Sequence, residues 1–186
     1  MRALSEVDVV GVVGAGTMGN GSAQVAATAG YDVVMRDIEQ DLVDDGFESI
    51  KWSVEKLSEK GIVSEDAETV LDRIDTEVDL ETAVSDADLV IEAAPEQMEI
   101  KKDIFSDLDE FTAEDAILAS NTSSLSITEI ATATSRPGAW GTVTGTRCTM
   151  RSWDRGAGRS AMISWVPGAS AVTSPARLVG AASLRA

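Results

Sequence analysis

The feature that most constrains this fold is an apolar run that ends in glycines. VDVVGVVGAG (residues 7–16) is rich in β-branched residues and is typical of a strand buried on both faces of a parallel sheet. GNGSAQVAATAG (19–30) then has the composition of a helix of small residues, and YDVVMRD (31–37) predicts a second strand. This order of strand, glycine turn, helix and strand predicts the first crossover unit of an α/β domain.

The same alternation continues as far as residue 121. Apolar residues at spacings of three to five predict an amphipathic helix over residues 41–61, with its acidic face in water. The further predicted elements are helix 67–73, strand 74–78, strand 87–94, helix 96–111 and strand 116–121. Repeated strand–helix–strand order predicts a doubly wound parallel sheet of the Rossmann type, incomplete, with helices on both faces.

The composition changes abruptly near Pro137. Residues 1–136 contain 31 acidic and 9 basic residues, a balance of −22, whereas residues 137–186 contain 1 and 6, a balance of +5. After Pro137 neither a helical nor a strand period persists, and Gly, Ser, Thr, Ala and Arg dominate. We therefore predict a domain over residues 6–137 and an irregular, basic tail over 138–186. The tail is expected to be disordered because it has too little patterned apolar surface to offset its ordering entropy.

Charge and cysteine content exclude several classes of protein. The formal net charge of −17 argues against a nucleic acid or an anionic membrane as partner. The crowded acidic residues lead to the hypothesis of a halophilic protein in a salt-rich cytoplasm that screens self-repulsion. Cys148 is the only cysteine and no Cys/His cluster exists, so we predict neither a disulfide nor a metal site. With no signal-peptide pattern and no apolar run of about 18 residues, we predict a cytoplasmic protein.

A phosphate-binding motif lies at the junction of the first strand and helix. GAGTMG (14–19) matches G-x-G-x-x-G, in which the first glycine allows the tight turn and the second lets a pyrophosphate approach the backbone. The third glycine lets the helix pack on the strand, and the helix N-terminal N–H groups meet the phosphates. The predicted dinucleotide-binding residues are Gly14, Ala15, Gly16, Thr17, Met18 and Gly19.

The end of the second strand indicates which dinucleotide binds. Asp37 follows Gly19 by 18 residues. A carboxylate at this position accepts hydrogen bonds from the ribose hydroxyls and repels a 2′-phosphate, so NAD is predicted over NADP. The neighbouring Arg36 is the one residue that favours a 2′-phosphate.

Three stretches together carry a closer resemblance. They are GAGTMGNGSAQVAATAGYDVVMRD (14–37), IEAAPEQMEIKKDIF (91–105) and SNTSSLSITEIA (120–131). They resemble the amino-terminal domain of the 3-hydroxyacyl-CoA dehydrogenases, over about residues 6–137. The resemblance implies NAD-dependent oxidation of a 3-hydroxyacyl-CoA thioester to the 3-oxoacyl thioester, in fatty-acid breakdown or hydroxybutyryl-CoA metabolism. It also implies a homodimer for the full-length family, whose dimer-forming carboxy-terminal domain has no counterpart in this sequence.

The resemblance also assigns site residues. Glu96 and Lys101 match a Glu and a Lys that line the NAD site in that family. From the residues alone they are a carboxylate favoured by the helix macrodipole and a solvated lysine. Ser123 would hydrogen-bond the substrate's 3-oxygen and lie near the nicotinamide, whereas Ser126 and Glu129 form an S-x-x-E capping box.

For the coenzyme A part, the family uses a Ser and a Lys on the helix after the second strand. Ser49 and Lys56 are seven residues apart and so lie on one helix face, which makes them the best matches. Lys56 would meet the CoA phosphates as a point charge. The alternative is a solvated acidic face that Lys56 neutralises.

One residue that the chemistry requires is missing. Removing the hydroxyl proton of a secondary alcohol needs a base, for which the family uses a His in a His-aromatic-aromatic-Asn-Pro segment. That segment would fall at about residues 143–150, which read VTGTRCTM, and the chain contains no His. We therefore expect little turnover, and hypothesise that the residues after Pro137 are an out-of-frame translation.

Two other functions stay open. A related hydroxyacid or sugar-acid dehydrogenase would share the cofactor domain without using CoA. A non-catalytic NAD-binding remnant would carry a basic tail that folds back on the acidic domain, an attraction that salt weakens.

Overall fold

The computed structural model describes residues 6–135 with their side chains, and the backbone of residues 139–144, 147–154 and 159–165. The first eleven elements alternate as the sequence predicts, with α4 as an addition. They are β1 (Val9–Val13), α1 (Thr17–Thr28), β2 (Asp32–Arg36), α2 (Gln40–Glu59), α3 (Ala67–Leu71), β3 (Ile74–Glu77), α4 (Leu80–Val84), β4 (Leu89–Glu92), α5 (Met98–Phe111), β5 (Ile117–Ser120) and α6 (Ile127–Ala131).

Five of these strands form a parallel sheet in the order β3-β2-β1-β4-β5. Strand β1 is central, since Val12 lies opposite Met35 of β2 on one side and Ile91 of β4 on the other. This strand order is that of a doubly wound sheet, so the predicted fold class is confirmed.

Three further strands continue the sheet within the predicted tail: β6 (Ala139–Thr144), β7 (Arg147–Asp154) and β8 (Arg159–Trp165). Strand β6 pairs in parallel with β5, and the next two pairings are antiparallel. The prediction of a wholly irregular tail is therefore corrected for these ranges. Strand pairing is made by backbone groups, so a sequence without apolar alternation does not exclude it. The remaining tail residues, and the predicted boundary at Pro137, lie outside the described residues.

Two apolar clusters cover opposite faces of the sheet. The side chains of a strand alternate between faces, and in β1 Val10 and Val12 join one cluster whereas Val13 joins the other. The first cluster includes Ile50 of α2, and the second includes Phe105 of α5. In the part of the chain that is described, no helix is both long and apolar enough to cross a membrane.

The chain passes from β1 to β2 and β3 on one side and then returns to β4 on the other side of β1, so the direction of winding changes between β1 and β4. Open α/β sheets bind ligands in the crevice outside the carboxyl ends of the strands at such a switch point. The residues that follow β1, β2, β4 and β5 all meet at this edge of the sheet.

Candidate functional site

The glycine turn after β1 is tightly packed against β4 and α1. Gly14 has a φ of +110°, and a Cβ there would lie 2.8 Å from the carbonyl oxygen of Ala93. A Cβ on Gly19 would lie 1.6 Å from the carbonyl oxygen of Gly14. Gly14 therefore serves the turn and Gly19 the close approach of helix to strand.

Gly16 differs, because no heavy atom would lie within 4 Å of a Cβ at this position. It is the N-cap of α1 in extended conformation, and its peptide has no side-chain cap. Since the first N–H groups of a helix have no intrahelical acceptor, the open space beside Gly16 faces donors suited to an anion. Thr17 and Met18 begin α1 here, and Met18 is half exposed.

Asp37 forms a hydrogen bond with the backbone of the same turn. Its Oδ2 accepts a hydrogen bond from the Ala15 amide at 2.7 Å, and its Oδ1 accepts one from the Ile38 amide at 2.7 Å. A carboxylate has about four acceptor sites, so two remain for ribose hydroxyls. Arg36 is turned away, since its Nε donates to the Val78 carbonyl at 2.9 Å. Arg36 is thus bound to the segment after β3.

A buried ion pair lies where β4, β5 and α5 meet. The Nζ of Lys101 is 2.6 Å from Glu92 Oε1, with side-chain exposures of 1% and 0%. Glu92 also accepts from the Ala94 amide at 2.6 Å and from the Ser120 hydroxyl at 2.5 Å. Lys101 donates in addition to the Ala94 carbonyl at 3.1 Å. The interpretation of Lys101 as a solvated lysine is therefore wrong.

Glu96 lies at the rim of this buried pair. Its Oε2 is 3.5 Å from Lys101 Nζ, and its Oε1 accepts from the hydroxyls of Thr122 and, at 2.7 Å, Ser124. The hydrogen bond from Thr122 and then that from Ser124, with the charge of Lys101, lower the pKa of Glu96 to about 2 against the opposing effect of desolvation. Glu96 is therefore a carboxylate at neutral pH.

Ser123 lies between these two hydroxyl donors and is exposed at the carboxyl edge. The hydroxyl of Ser126 accepts from the Glu129 amide at 3.3 Å and caps α6. The capping role predicted for Ser126 is confirmed, and Ser123 lies exposed in the loop after β5.

Ser49 and Lys56 both lie on α2, away from the glycine turn in sequence. Ser49 is exposed and its hydroxyl donates to the Asp45 carbonyl at 2.9 Å. The Lys56 side chain is 46% exposed, and its Nζ is 2.8 Å from Glu59 Oε2. This hydrogen bond and the charge of Glu59 raise the pKa of Lys56. Lys56 therefore stays cationic, and its role in CoA binding stays a prediction.

The residues of this site lie within the part of the chain that is similar to known proteins. A family model described as the NAD binding domain of 3-hydroxyacyl-CoA dehydrogenase matches residues 9–144, a range that extends beyond Pro137. The chain belongs to this family. The residues matched include the glycine turn, the buried ion pair and the loop that carries Ser123.

Similar proteins carry names from the same family. A probable 3-hydroxybutyryl-CoA dehydrogenase of Deinococcus radiodurans is 50% identical over 127 residues, which are 68% of this chain and 45% of that protein. The human mitochondrial hydroxyacyl-coenzyme A dehydrogenase is 42% identical over 133 residues, 68% of this chain and 42% of the relative. The crystal structure of (S)-3-hydroxybutyryl-CoA dehydrogenase from Ralstonia eutropha matches with a TM-score of 0.70 and 38% identity, over 75% of this chain and 49% of that one.

The chain thus spans less than half the length of these relatives. The matched part is the family's NAD-binding domain, which agrees with the predicted cofactor. Dimer formation, the activity and the substrate stay predictions for this chain.

Sequence reasoning did not identify Glu92 as part of the site. The available signal was the carboxylate of Glu92 near the end of the apolar run ADLVIEAA (residues 87–94), because a buried charge requires a partner. Its partners Lys101 and Ser120 are 9 and 28 residues further along the chain, so the sequence alone did not indicate the pairing. Thr122 and Ser124, which bind Glu96, were also not identified.

Proposed function

We propose that this chain binds NAD in the crevice at the carboxyl ends of β1 and β4, as the cofactor-binding part of a 3-hydroxyacyl-CoA dehydrogenase. The observation that carries the proposal is the hydrogen bond from the Ala15 amide to Asp37. It holds the carboxylate that would accept the ribose hydroxyls beside the turn that would meet the pyrophosphate. The open space at Gly16, in front of α1, fits a phosphate group.

Bound NAD would supply the hydride acceptor for oxidation of a secondary alcohol. In this proposal Ser123 donates a hydrogen bond to the substrate's 3-oxygen and Glu96 lines the crevice. Lys101 is buried against Glu92, so it would act on the cofactor site through its contact with Glu96. Oxidation also requires a proton acceptor poised near neutral pH. The chain has no His, and Glu96, with a pKa of about 2, is a weak base. We therefore expect NAD binding with little turnover by this chain.

The proposed substrate class is a short 3-hydroxyacyl-CoA thioester. The support is the naming of the relatives from Deinococcus radiodurans and Ralstonia eutropha as 3-hydroxybutyryl-CoA dehydrogenases. Ser49 and Lys56 would contact the CoA moiety, with the Lys56 ammonium meeting its phosphates.

Calorimetric titration with 3-oxobutyryl-CoA in the presence of NADH tests this substrate class. We expect saturable binding, competition by free CoA, and weaker binding in Lys56→Ala. Lys51→Ala is the matched control, because Lys51 is also 46% exposed on α2 and is 4.0 Å from Glu48. Equal loss of affinity in both variants would indicate a general attraction between positive charge and CoA. It would contradict a specific contact between Lys56 and the CoA phosphates.

A second candidate is a dehydrogenase of this family that does not use CoA. It is favoured by the solved structure of a diketoreductase that acts on dicarbonyl compounds, which is similar to this chain with a TM-score of 0.71 and 30% identity. In the same titration, binding of a small 3-oxo acid that free CoA fails to displace would support this candidate over the first.

A further inference from the structure

In the loop after β5, the residues on both sides of Ser123 form hydrogen bonds with the carboxylate of Glu96. The hydroxyl of Thr122 and the hydroxyl of Ser124 both donate to the same oxygen, Glu96 Oε1. Thr122 is 4% exposed, whereas Ser123 is exposed. The backbone that carries the Ser123 side chain is therefore anchored at both neighbouring residues.

Glu96 is connected in turn to the rigid end of β4. Its second oxygen faces Lys101 Nζ at 3.5 Å, and Lys101 is buried against Glu92 at 2.6 Å. The main chain of β4 reaches the same loop, because the Asn121 amide donates to the Glu92 carbonyl at 2.8 Å. A continuous set of polar contacts thus runs from a buried strand end to the loop of Ser123.

A hydrogen bond within the loop also joins Thr122 to Leu125. The Leu125 amide donates to the Thr122 hydroxyl oxygen at 3.0 Å, so this one side chain both accepts from the loop and donates to Glu96. A hydroxyl that makes both bonds fixes the loop more firmly than either bond alone.

We propose that Glu96 is a positioning residue for Ser123, distinct from any contact that Glu96 makes with NAD. The carboxylate holds Thr122 and Ser124 in place, and Ser123 is thereby held towards the substrate's oxygen before the substrate binds. A loop that is already ordered loses less conformational freedom on binding, which raises affinity. This inference rests on the proposed function, since Ser123 acquires a ligand only if the crevice binds a substrate.

Backbone ¹⁵N relaxation of Ser123 in the full chain tests the proposal. We expect an order parameter of about 0.85 in the wild type, and below about 0.6 in both Glu96→Ala and the double variant Thr122→Val/Ser124→Ala. Thr122→Ser keeps the hydroxyl, so it should keep the wild-type value where Thr122→Val does not. An ordered Ser123 in Thr122→Ser would show that the hydroxyl at position 122, and not the packing of its methyl group, holds the loop.

The control is Glu99→Ala, which removes an 86% exposed carboxylate three residues away on α5 and should leave Ser123 ordered. If Glu96→Ala does not fold, Ser124→Ala removes one of the two anchors at an exposed position and should lower the order parameter by itself. An unchanged order parameter in Ser124→Ala and in the double variant, or mobility of Ser123 in Thr122→Ser equal to that in Thr122→Val, overturns the proposal.

An NADH titration of the same samples separates this inference from the proposed function. A wild type that fails to bind NADH contradicts the proposed function. Loss of order at Ser123 in the variants would then still show that the hydrogen bonds from Thr122 and Ser124 to Glu96 hold the loop.

Discussion

Glu92 and Lys101 form an ion pair of 2.6 Å in which neither side chain is more than 1% exposed. The pair links the carboxyl end of β4 to the second turn of α5, and Ser120 of β5 completes it from the neighbouring strand. Because both charges are buried and matched, Lys101 is a fixed part of the site. Glu96 is the carboxylate at the rim of this buried pair.

Lys101→Met should strongly destabilise the protein. It leaves the Glu92 carboxylate buried without its cation, and breaking a buried pair from one side costs about 3–5 kcal/mol. Urea unfolding monitored by circular dichroism measures this loss. Lys102→Met is the matched control on the next residue, whose ammonium pairs with Glu129 at 2.8 Å near the surface, and should change stability far less.

The double variant Glu92→Gln/Lys101→Met refines this prediction. The amide oxygen of Gln keeps an acceptor for the Ala94 amide, and its NH2 can donate to the Ser120 hydroxyl oxygen. No buried charge is left without a partner at this position, so part of the stability should return. A double variant that is less stable than Lys101→Met would contradict the view that the uncompensated carboxylate causes the loss.

Gly19→Ala should disrupt the glycine turn and abolish measurable NADH binding. The added Cβ would lie 1.6 Å from the Gly14 carbonyl oxygen, which is backbone and cannot move without displacing α1 from β1. Gly21→Ala is the control in the same helix, since nothing lies within 4 Å of its Cβ. It should stabilise the protein by about 0.5–1 kcal/mol, the usual difference between Ala and Gly within a helix. Wild-type NADH affinity in Gly19→Ala would contradict the packing argument.

The contribution of Glu96 to stability should depend on pH. Its pKa is about 2 in the folded protein and 4.5 for an unperturbed carboxyl, chiefly because Thr122 donates to it. A lowered pKa means that the contribution is complete above about pH 4.5 and is lost as pH falls towards 2. The difference in unfolding free energy between wild type and Glu96→Gln should therefore shrink from pH 6 to pH 2.5, and a constant difference would count against the assignment.

Asp37→Asn should weaken NADH binding by about tenfold and reduce the preference for NADH over NADPH. Both carboxylate oxygens accept backbone amides, from Ala15 and Ile38, so an amide group places a donor against one of them. It also removes the negative charge that repels a 2′-phosphate. Fluorescence titration with both cofactors measures the two effects. Asp44→Asn, at an exposed position on α2, should change neither affinity.

The alternation of strands and helices could be predicted because it is encoded in local periodicity. The run VVGVV (residues 9–13) is typical of a strand that is buried on both faces of a parallel sheet. The glycine turn follows this run directly. Helix α4 was not predicted, because five residues are too few to show a helical period. Its signal was the Asp79 cap, which accepts from the Thr82 amide at 2.9 Å.

The contacts within the site could be predicted only in part. Asp37 could be placed beside the glycine turn, because parallel strands bring their carboxyl ends to one edge. The bonds from Thr122 and Ser124 to Glu96 could not, because they join residues 26 and 28 positions apart across two strands. The strands within 139–165 were not predicted either, since they have no strand period of their own. Strand β6 pairs with β5, β7 with β6 and β8 with β7.

Equilibrium titration of the wild-type chain with NADH and with NADPH, followed by nucleotide fluorescence, tests the central claim most directly. The arrangement of Ala15, Gly16 and Asp37 predicts saturable binding of NADH that is about tenfold or more tighter than binding of NADPH. Absence of saturable NADH binding up to ~1 mM, the upper end of usual substrate affinities, would contradict it, as would equal affinity for the two cofactors.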